Sequence, residues 1–283
     1  MKLIKPSVEI LEQPAGIQGI YDMIELCGKT SYKSPVKGGK VAEDFVSARV
    51  NEGHYAVLEF GTVYLKIEGT NDPKVVDLGQ LFFKEPYSRV TYIDGYDYIT
   101  TNMRVLVEKG LTRYLEYQCE PTEYHARRYT ARFVTNIGVT REMCRHRTFS
   151  FCEQSTRYCN YNSGKFGGQI SYVIPAWAQS LHEGEEQTYS PFEITPKEAE
   201  LMQAWYDAEK RYKAMLASEA IPQEARSCLP LGTATEICVC GFKDAWEHFF
   251  ELRYYGLTGK PHPDMLNVAT MCYNAFKEKG IQF

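Results

Sequence analysis

With 283 residues, 44% hydrophobic and 24% charged, the chain is long enough to bury one substantial core, and a single domain covering 1–283 is the simplest organisation. A formal net charge of -4 excludes a molecule that gathers nucleic acid or an anionic membrane through its overall field, so any anion has to be bound locally. No apolar run approaches the roughly eighteen residues a bilayer requires, and the opening MKLIKPSVEILEQPAG lacks a signal-peptide pattern; a cytoplasmic protein without a membrane segment is expected.

Taken in chain order, VEILEQP reads as a short strand, a helix is expected from about Ile17 and another over Lys40 to Asn51, and GTVYLKIEG alternates as a strand does. YDYITTNMRVLVEKG reads as a strand feeding a helix capped by Thr101 or Asn102. YTARFVTNI suits a buried strand, with Gly138 and a helix opening at Thr140 behind it. From about 160 to 196 the composition turns to Gly, Ser, Pro, Asn and Gln, which predicts long surface loops of the kind that often carry function. An amphipathic helix follows over Pro196 to Ser218, then a shorter helix ending before Pro230, the strand ATEICVCGF, a helix from Asp244 to Arg253, and a last helix from about Pro263. Neighbouring strands without regular crossovers predict an α+β fold, a mixed and mainly antiparallel sheet packed with helices.

Nine cysteines, odd in number and without a C-x-x-C pair, indicate neither a disulfide framework nor a zinc ribbon; Cys238 and Cys240 read as buried free thiols. Six histidines with no H-x-x-x-H spacing give no metal site. No G-x-G-x-x-G occurs, so a dinucleotide could not be held by a Rossmann turn.

The most informative stretch is TREMCRHRTFSFCEQSTRY, where Arg141, Arg145, Arg147 and Arg157 face only Glu142 and Glu153. If Thr140 to His146 is helical, Arg141 and Arg145 share one face and Arg147 projects to nearly the opposite side. In an extended segment beyond Arg147, the period of two puts Glu153, Ser155 and Arg157 on one face. An acceptor, a hydroxyl and a guanidinium fork so arranged suit a nucleoside monophosphate. A salt-bridged surface helix and a solvated strand explain the same spacing.

The triplet Arg145, His146 and Arg147, followed after seven residues by Ser155, resembles the signature of flavin-dependent thymidylate synthases (the ThyX family), and the flanking E-x-S-x-R-Y pattern stands as Glu153, Ser155, Arg157 and Tyr158. Gly53, His54 and Glu59 in GHYAVLEF, Arg226 in ARSCLP and Arg253 in FFELR continue the resemblance in the family's order. It implies a homotetramer with active sites shared between chains. It also implies that dUMP becomes dTMP with 5,10-methylenetetrahydrofolate as methylene donor and NADPH-reduced FAD as hydride source, with no metal. Carried over by position, Arg145, His146 and Arg147 contact FAD; Glu142, Met143, Cys144, Arg145, Glu153, Gln154, Ser155, Thr156 and Arg157 line dUMP; and Arg226 reaches dUMP from a neighbouring subunit. His54 borders the folate pocket. The remaining FAD contacts fall on Ala56, Glu59, Phe242, Asp244 and His248, where Ala56 replaces a usual Ser or Thr and the run at Phe242 to His248 departs from the common Asn and Arg pattern. Glu142 stands where the family often has Gln, and a carboxylate near a phosphate repels it unless Arg141 or Arg145 neutralises it.

In DAWEHFFELR, Trp246, Phe249, Phe250 and Arg253 lie at i, i+3, i+4 and i+7, so the arginine shares the face that seeks the core. The same position is that of a helix-end cation favoured by the macrodipole. The resemblance implies the catalytic role: Arg253 sits against the uracil and favours loss of the N3 proton. No Pro-Cys-His nucleophile motif occurs, and Ser155 is a nucleotide ligand in this reading. Two alternatives share features of the sequence. A flavin- and folate-dependent dUMP hydroxymethylase would carry nearly every motif, whereas a nucleic-acid-binding module built on the arginines and the 13% aromatic residues is opposed by the net charge.

Overall fold

The computed structural model describes residues 1–69, 78–185 and 193–283. The chain runs β1 (Lys2–Ile4), β2 (Ser7–Leu11), α1 (Gly16–Thr30), α2 (Lys40–Asn51), β3 (Thr62–Glu68), α3 (Leu78–Phe83), β4 (Arg89–Ile93), β5 (Tyr96–Asn102) and α4 (Met103–Glu108). It continues with β6 (Arg128–Asn136), α5 (Ile137–Met143), β7 (Ser150–Glu153), β8 (Ser171–Val173), β9 (Gly184–Glu185), α6 (Pro196–Ala217), α7 (Pro222–Ala225), β10 (Ala234–Phe242), α8 (Lys243–Arg253) and α9 (Pro263–Glu278).

The apolar run ATEICVCGF becomes an inner strand because it is buried on both faces. In the order β2-β6-β10-β7 it pairs antiparallel with β6 from Ala234 opposite Asn136 to Phe242 opposite Arg128, and with β7 on its other side. Its odd positions, Ile237 and Val239, pack with Trp246, Phe249 and Phe250 of α8 and Val268, Cys272 and Phe276 of α9. Its even positions, Cys238 and Cys240, pack with Met23 and Cys27 of α1, so these thiols are buried and free as expected. The sheet is therefore sandwiched between α8 and α9 on one face and α1 on the other.

A second antiparallel sheet, in the order β3-β5-β4, turns Val63, Leu65, Ile67 and Ile99 against Ile20 and Ile24 of α1. Of the two cap candidates before α4, Asn102 fills the role; its side-chain oxygen accepts from the Val105 N–H at 3.1 Å. The fold is α+β, with mainly antiparallel pairing as predicted. The one parallel pair among the described strands, β1 with β8, makes the pairing mixed as expected and lies in a small third sheet, order β8-β1-β9, so these strands form three sheets in place of one.

Two local expectations are corrected. The helix expected to open at Thr140 opens at Ile137, because Asn136 caps it by accepting from the Val139 N–H at 2.8 Å, and it ends at Met143. The stretch 160–196 is not merely loop. Ile170, Tyr172 and Ile174 alternate into a core with Trp205 and Tyr212 of α6, Tyr172 stacking on Trp205 at 4.9 Å, and this burial recruits the strand β8. Residues 186–192 of that stretch lie outside the described residues.

Candidate active site

α8 is anchored by Trp246, whose ring lies among Phe149, Phe249, Phe250 and Phe276 and whose Nε1–H donates to the Tyr129 carbonyl at 3.2 Å. That anchoring fixes the helix phase, and the last residue, Arg253, is carried inward to the end of α5. Its Nη1–H donates to Glu142 Oε2 at 2.9 Å, its Nη2–H to the Glu142 carbonyl at 3.4 Å, and its Nε–H to His146 Nε2 at 3.1 Å. Arg253 keeps 19% of its side-chain surface exposed, so it is held in place yet reachable.

An arginine can only donate, so His146 Nε2 accepts and the ring is neutral with its proton on Nδ1. Burial, then the Arg253 charge and then His248 lower the His146 pKa from 6.5 to about 4. His146 is the one member of the triplet that turns inward, edge-on to Phe249 at 5.1 Å. Arg145 and Arg147 are exposed. The expected helix through His146, with Arg141 and Arg145 on one face, is corrected: after Met143 the chain makes successive turns, from the Arg145 N–H to the Glu142 carbonyl and from the His146 N–H to the Met143 carbonyl.

The turn continues to Phe149, which packs on Gly241; a Cβ on that glycine would meet the Phe149 ring at 2.3 Å. This close approach sets Arg147 and Thr148 beside the start of α8, where a cavity of about 340 Å3 is lined by Arg89, Arg128, Arg147, Phe242, Asp244 and His248 among others. Four of the positions expected to contact flavin thus meet in one place. Two of them are otherwise engaged: Asp244 pairs with Arg89 at 3.3 Å, and His248 is exposed beside Glu251.

The strand holding Glu153 ends there, so the expected shared face of Glu153, Ser155 and Arg157 does not form. Glu153 Oε1 accepts from the hydroxyls of Thr140 at 2.8 Å and Thr235 at 3.1 Å, and its burial pushes the carboxyl pKa up against these bonds. The Gln154 N–H still follows the pairing with β10, donating to the Glu236 carbonyl, and the Ser155 N–H then donates to the Ser31 carbonyl, which turns the chain. Gln154 faces a separate cavity with Tyr161 and Lys165, and Met143 is buried in the core, so neither side chain joins the others. Cys144 is exposed. Ser155, His54 and Ala56 border a third cavity of about 600 Å3, with Tyr32, Tyr158, Arg49 and Arg104. Glu59, expected at the flavin, pairs with Arg104, which borders this cavity. Arg157 and Arg226 are exposed, and Arg226 Nη1–H donates to Thr156 Oγ1 of its own chain at 3.3 Å.

Sequence reasoning missed Arg89 and Arg128. Arg128 stands in HARRYT, a basic pair opening a buried strand, and that pair was the available signal; Arg89 has none in its neighbourhood. No metal-binding cluster of His, Cys, Asp or Glu occurs among the described residues, and no described helix is long and apolar enough to cross a membrane.

The family model described as "Thymidylate synthase complementing protein" matches residues 101–279, which include the triplet, the 153–157 segment, Arg226 and Arg253. The chain belongs to this family. Within the thymidylate synthase complementing family it is 28% identical over 136 residues to a flavin-dependent thymidylate synthase of Synechocystis sp., covering 48% of this chain and 61% of the relative. It is 29% identical over 204 residues to the enzyme of that name from Corynebacterium diphtheriae, with 70% of each chain covered. Against the enzyme of that name from Mycobacterium sp. strain KMS it is 30% identical over 127 residues, 43% of this chain and 48% of the relative. The chain thus spans about half to six tenths of the length of the first and third of these. Among solved structures, a UMP/dUMP methylase PolB from Streptomyces cacaoi bound with 5-Br dUMP is similar at a TM-score of 0.46 and 15% identity, over 98% of this chain and 93% of that one, a likeness too low to carry an argument.

Proposed function

We propose that the protein is a flavin-dependent thymidylate synthase converting dUMP to dTMP, with 5,10-methylenetetrahydrofolate and NADPH as co-substrates and FAD as cofactor. One observation carries the reading: the inward arginine of α8 meets the middle residue of the Arg-His-Arg triplet, at 3.1 Å between Arg253 and His146. Segments more than a hundred residues apart in sequence converge on the chemistry that the family resemblance implies.

The residues fit a flavin dinucleotide in charge and shape. The cavity at Phe242 offers an aromatic face and three guanidiniums against one carboxylate, Asp244, which suits part of a polyanionic, planar molecule. Hydride for completing the methyl group is the chemistry FAD supplies there when bound. The protein's own contribution is electrostatic. Arg253 holds a fixed charge and a planar fork for the uracil edge, stabilising the ring after loss of the N3 proton and so raising its nucleophilicity at C5. Neutral His146 accepts from Nε–H and leaves the two Nη groups to be aimed by Glu142, which releases them when the nucleotide arrives. Ser155, Arg157 and Arg226 supply hydroxyl and guanidinium donors for the phosphate and ribose, and His54 borders the folate.

We also propose that the 283 residues act as one unit in a cytoplasmic homotetramer. Arg145, Arg157 and Arg226 lie on open surface instead of in a closed cleft, which supports a site completed by a neighbouring chain. The free cysteines among the described residues suit a reducing compartment. The test of the activity is direct: purified protein should be yellow with flavin absorbance and should release tritium from C5-labelled dUMP only when methylene folate and NADPH are present. A colourless protein that binds no added FAD would refute it.

A further inference from the structure

The cavity at the start of α8 contains more positive charge than the expected flavin contacts explain. Arg89, on β4, and Arg128, at the start of β6, both stack on Phe242, with Cζ 4.5 Å and 5.5 Å from the ring centroid. Two like charges lie against one buried aromatic ring, and what neutralises them is slight. Arg89 donates to Asp244 Oδ2 at 3.3 Å and to the carbonyls of Pro86 and Ser88. Arg128 donates to the Thr62 hydroxyl at 3.2 Å and the Glu59 carbonyl at 3.1 Å, neutral acceptors both. Arg147 lines the same cavity and is exposed. Three guanidiniums against one exposed carboxylate leave a local excess of two positive charges in a concave, partly apolar space, where low-dielectric walls focus the field.

Like charges gathered this way cost free energy unless an anion completes the arrangement. The anion has to carry more than one negative charge and to tolerate a neighbouring aromatic ring, which describes the diphosphate of a dinucleotide. The hydroxyls of Thr148 and Ser150 line the cavity as further donors. Asp244 acquires a role here as well: its carboxylate holds Arg89 in place and does not itself face a phosphate as a ligand.

We infer that Arg89 and Arg128 complete the cofactor site by binding the diphosphate of FAD, and that they make the site select FAD over flavins lacking a diphosphate. The inference rests on the flavin reading above. It assigns two residues outside the expected set, one of which, Arg89, lies outside the segment matched by the family model. Their stacking on Phe242 supplies positive charge at the run where the sequence lacks the Asn and Arg side chains of the family pattern.

The test compares full-length wild type, Arg89→Gln and Arg128→Gln, stripped of flavin, by fluorescence titration with FAD, FMN and riboflavin, alongside NADP+ as a competitor. Wild type should prefer FAD, and Arg89→Gln should weaken FAD by about tenfold, the loss of one charge-assisted contact, while riboflavin binding is unchanged. Arg128 also bonds the β3 side of the cavity, so Arg128→Gln is read only if its melting temperature matches wild type; Arg89→Gln, lying at the lip, decides the matter in either case. Equal FAD affinity in Arg89→Gln and wild type overturns the inference while leaving the flavin reading standing. A loss of riboflavin equal to that of FAD also overturns it, since the ring and not the diphosphate would then be the contact. Weakened NADP+ competition with intact FAD binding gives the cavity to the other dinucleotide and overturns it too. Wild type that binds no flavin at all removes the flavin reading and this inference together.

Discussion

Arg253 and His146 are joined by a hydrogen bond of 3.1 Å from Nε–H to Nε2, which fixes the direction of the guanidinium and the tautomer of the imidazole at once. One closes α8 and the other lies just beyond α5, two helices whose buried residues share one core. Each therefore depends on the packing of the other's element.

Arg253→Lys should keep the fold and the flavin but lose catalysis. A single cation still serves the C-terminal end of α8, yet the planar fork that reaches Glu142 and His146 together is gone. Each charge-assisted bond is worth on the order of 1.5 to 3 kcal/mol, so the rate of dTMP formation from pre-reduced enzyme should fall about ten to a hundredfold if the bonds act in the transition state. Flavin reduction by NADPH, measured separately, should stay near wild type. A lysine variant making dTMP at the full rate would reduce Arg253 to a helix-end cation.

The burial of His146, with the Arg253 charge beside it, makes stability depend on pH. His146 has its pKa lowered from 6.5 to about 4, so between those values the unfolded chain binds a proton that the folded protein refuses. Stability from this group is complete above about pH 6.5, falls as the pH drops, and is exhausted below about 4; the total is at most about 3 kcal/mol. His146→Gln keeps a side chain able to accept from Arg253 and removes the titration. Denaturant midpoints measured across that window should decline less steeply in the variant than in wild type, and parallel curves would show that His146 is not the group responsible.

What could be read from the sequence divides along a physical line. Periodicity reports which side of an element is buried, and it correctly phased α8, with Trp246, Phe249, Phe250 and Arg253 on one face, and the buried strand β10. It is blind to bonds made with distant segments. The face expected to hold Glu153, Ser155 and Arg157 fails because Ser31, far away in sequence, captures the backbone after β7. Asn136 is a capping residue type, but the Gly138 that follows it inside the first turn hides the helix start. Strand β8 is hidden in a Gly-rich and Ser-rich stretch because its partner, β1, is at the start of the chain. The Arg89 and Arg128 pair on Phe242 came from β4 and β6, which no local pattern links.

Trp246 couples the core to the site. It is fully buried, touches several aromatic rings and donates to the Tyr129 carbonyl. Trp246→Phe keeps most of the apolar volume but removes the indole donor to that carbonyl and opens a small void, a loss of about 1–3 kcal/mol; Trp246→Ala should cost about 3–5 kcal/mol. Because α8 carries Arg253 two turns further on, the Phe variant should also lose dTMP formation beyond what its stability explains at a temperature where it is fully folded. Full activity in a folded but destabilised Phe variant would show that the helix holds its phase without the tryptophan.

Subunit mixing tests whether the active site is shared. Arg226 reaches Thr156 within one chain, while Arg145, Arg157 and Arg226 are all exposed, so the chain alone leaves these donors open to a neighbouring copy. In a closed oligomer the same surface patches recur around the symmetry axes, and a rim on one copy can be completed by an element of another. Arg226→Ala and Arg157→Ala proteins, each inactive alone, are combined in equal amounts under conditions that exchange chains, with exchange followed by a mass tag on one of them. If a site takes Arg157 from one chain and Arg226 from a second, each chain is of the right kind one time in two, and about a quarter of wild-type activity should return. If the contact with Thr156 is the functional one, both residues belong to a single chain and no mixture restores activity. Exchange demonstrated by the tag with activity still at the background of the single variants would place Arg226 in its own chain's site.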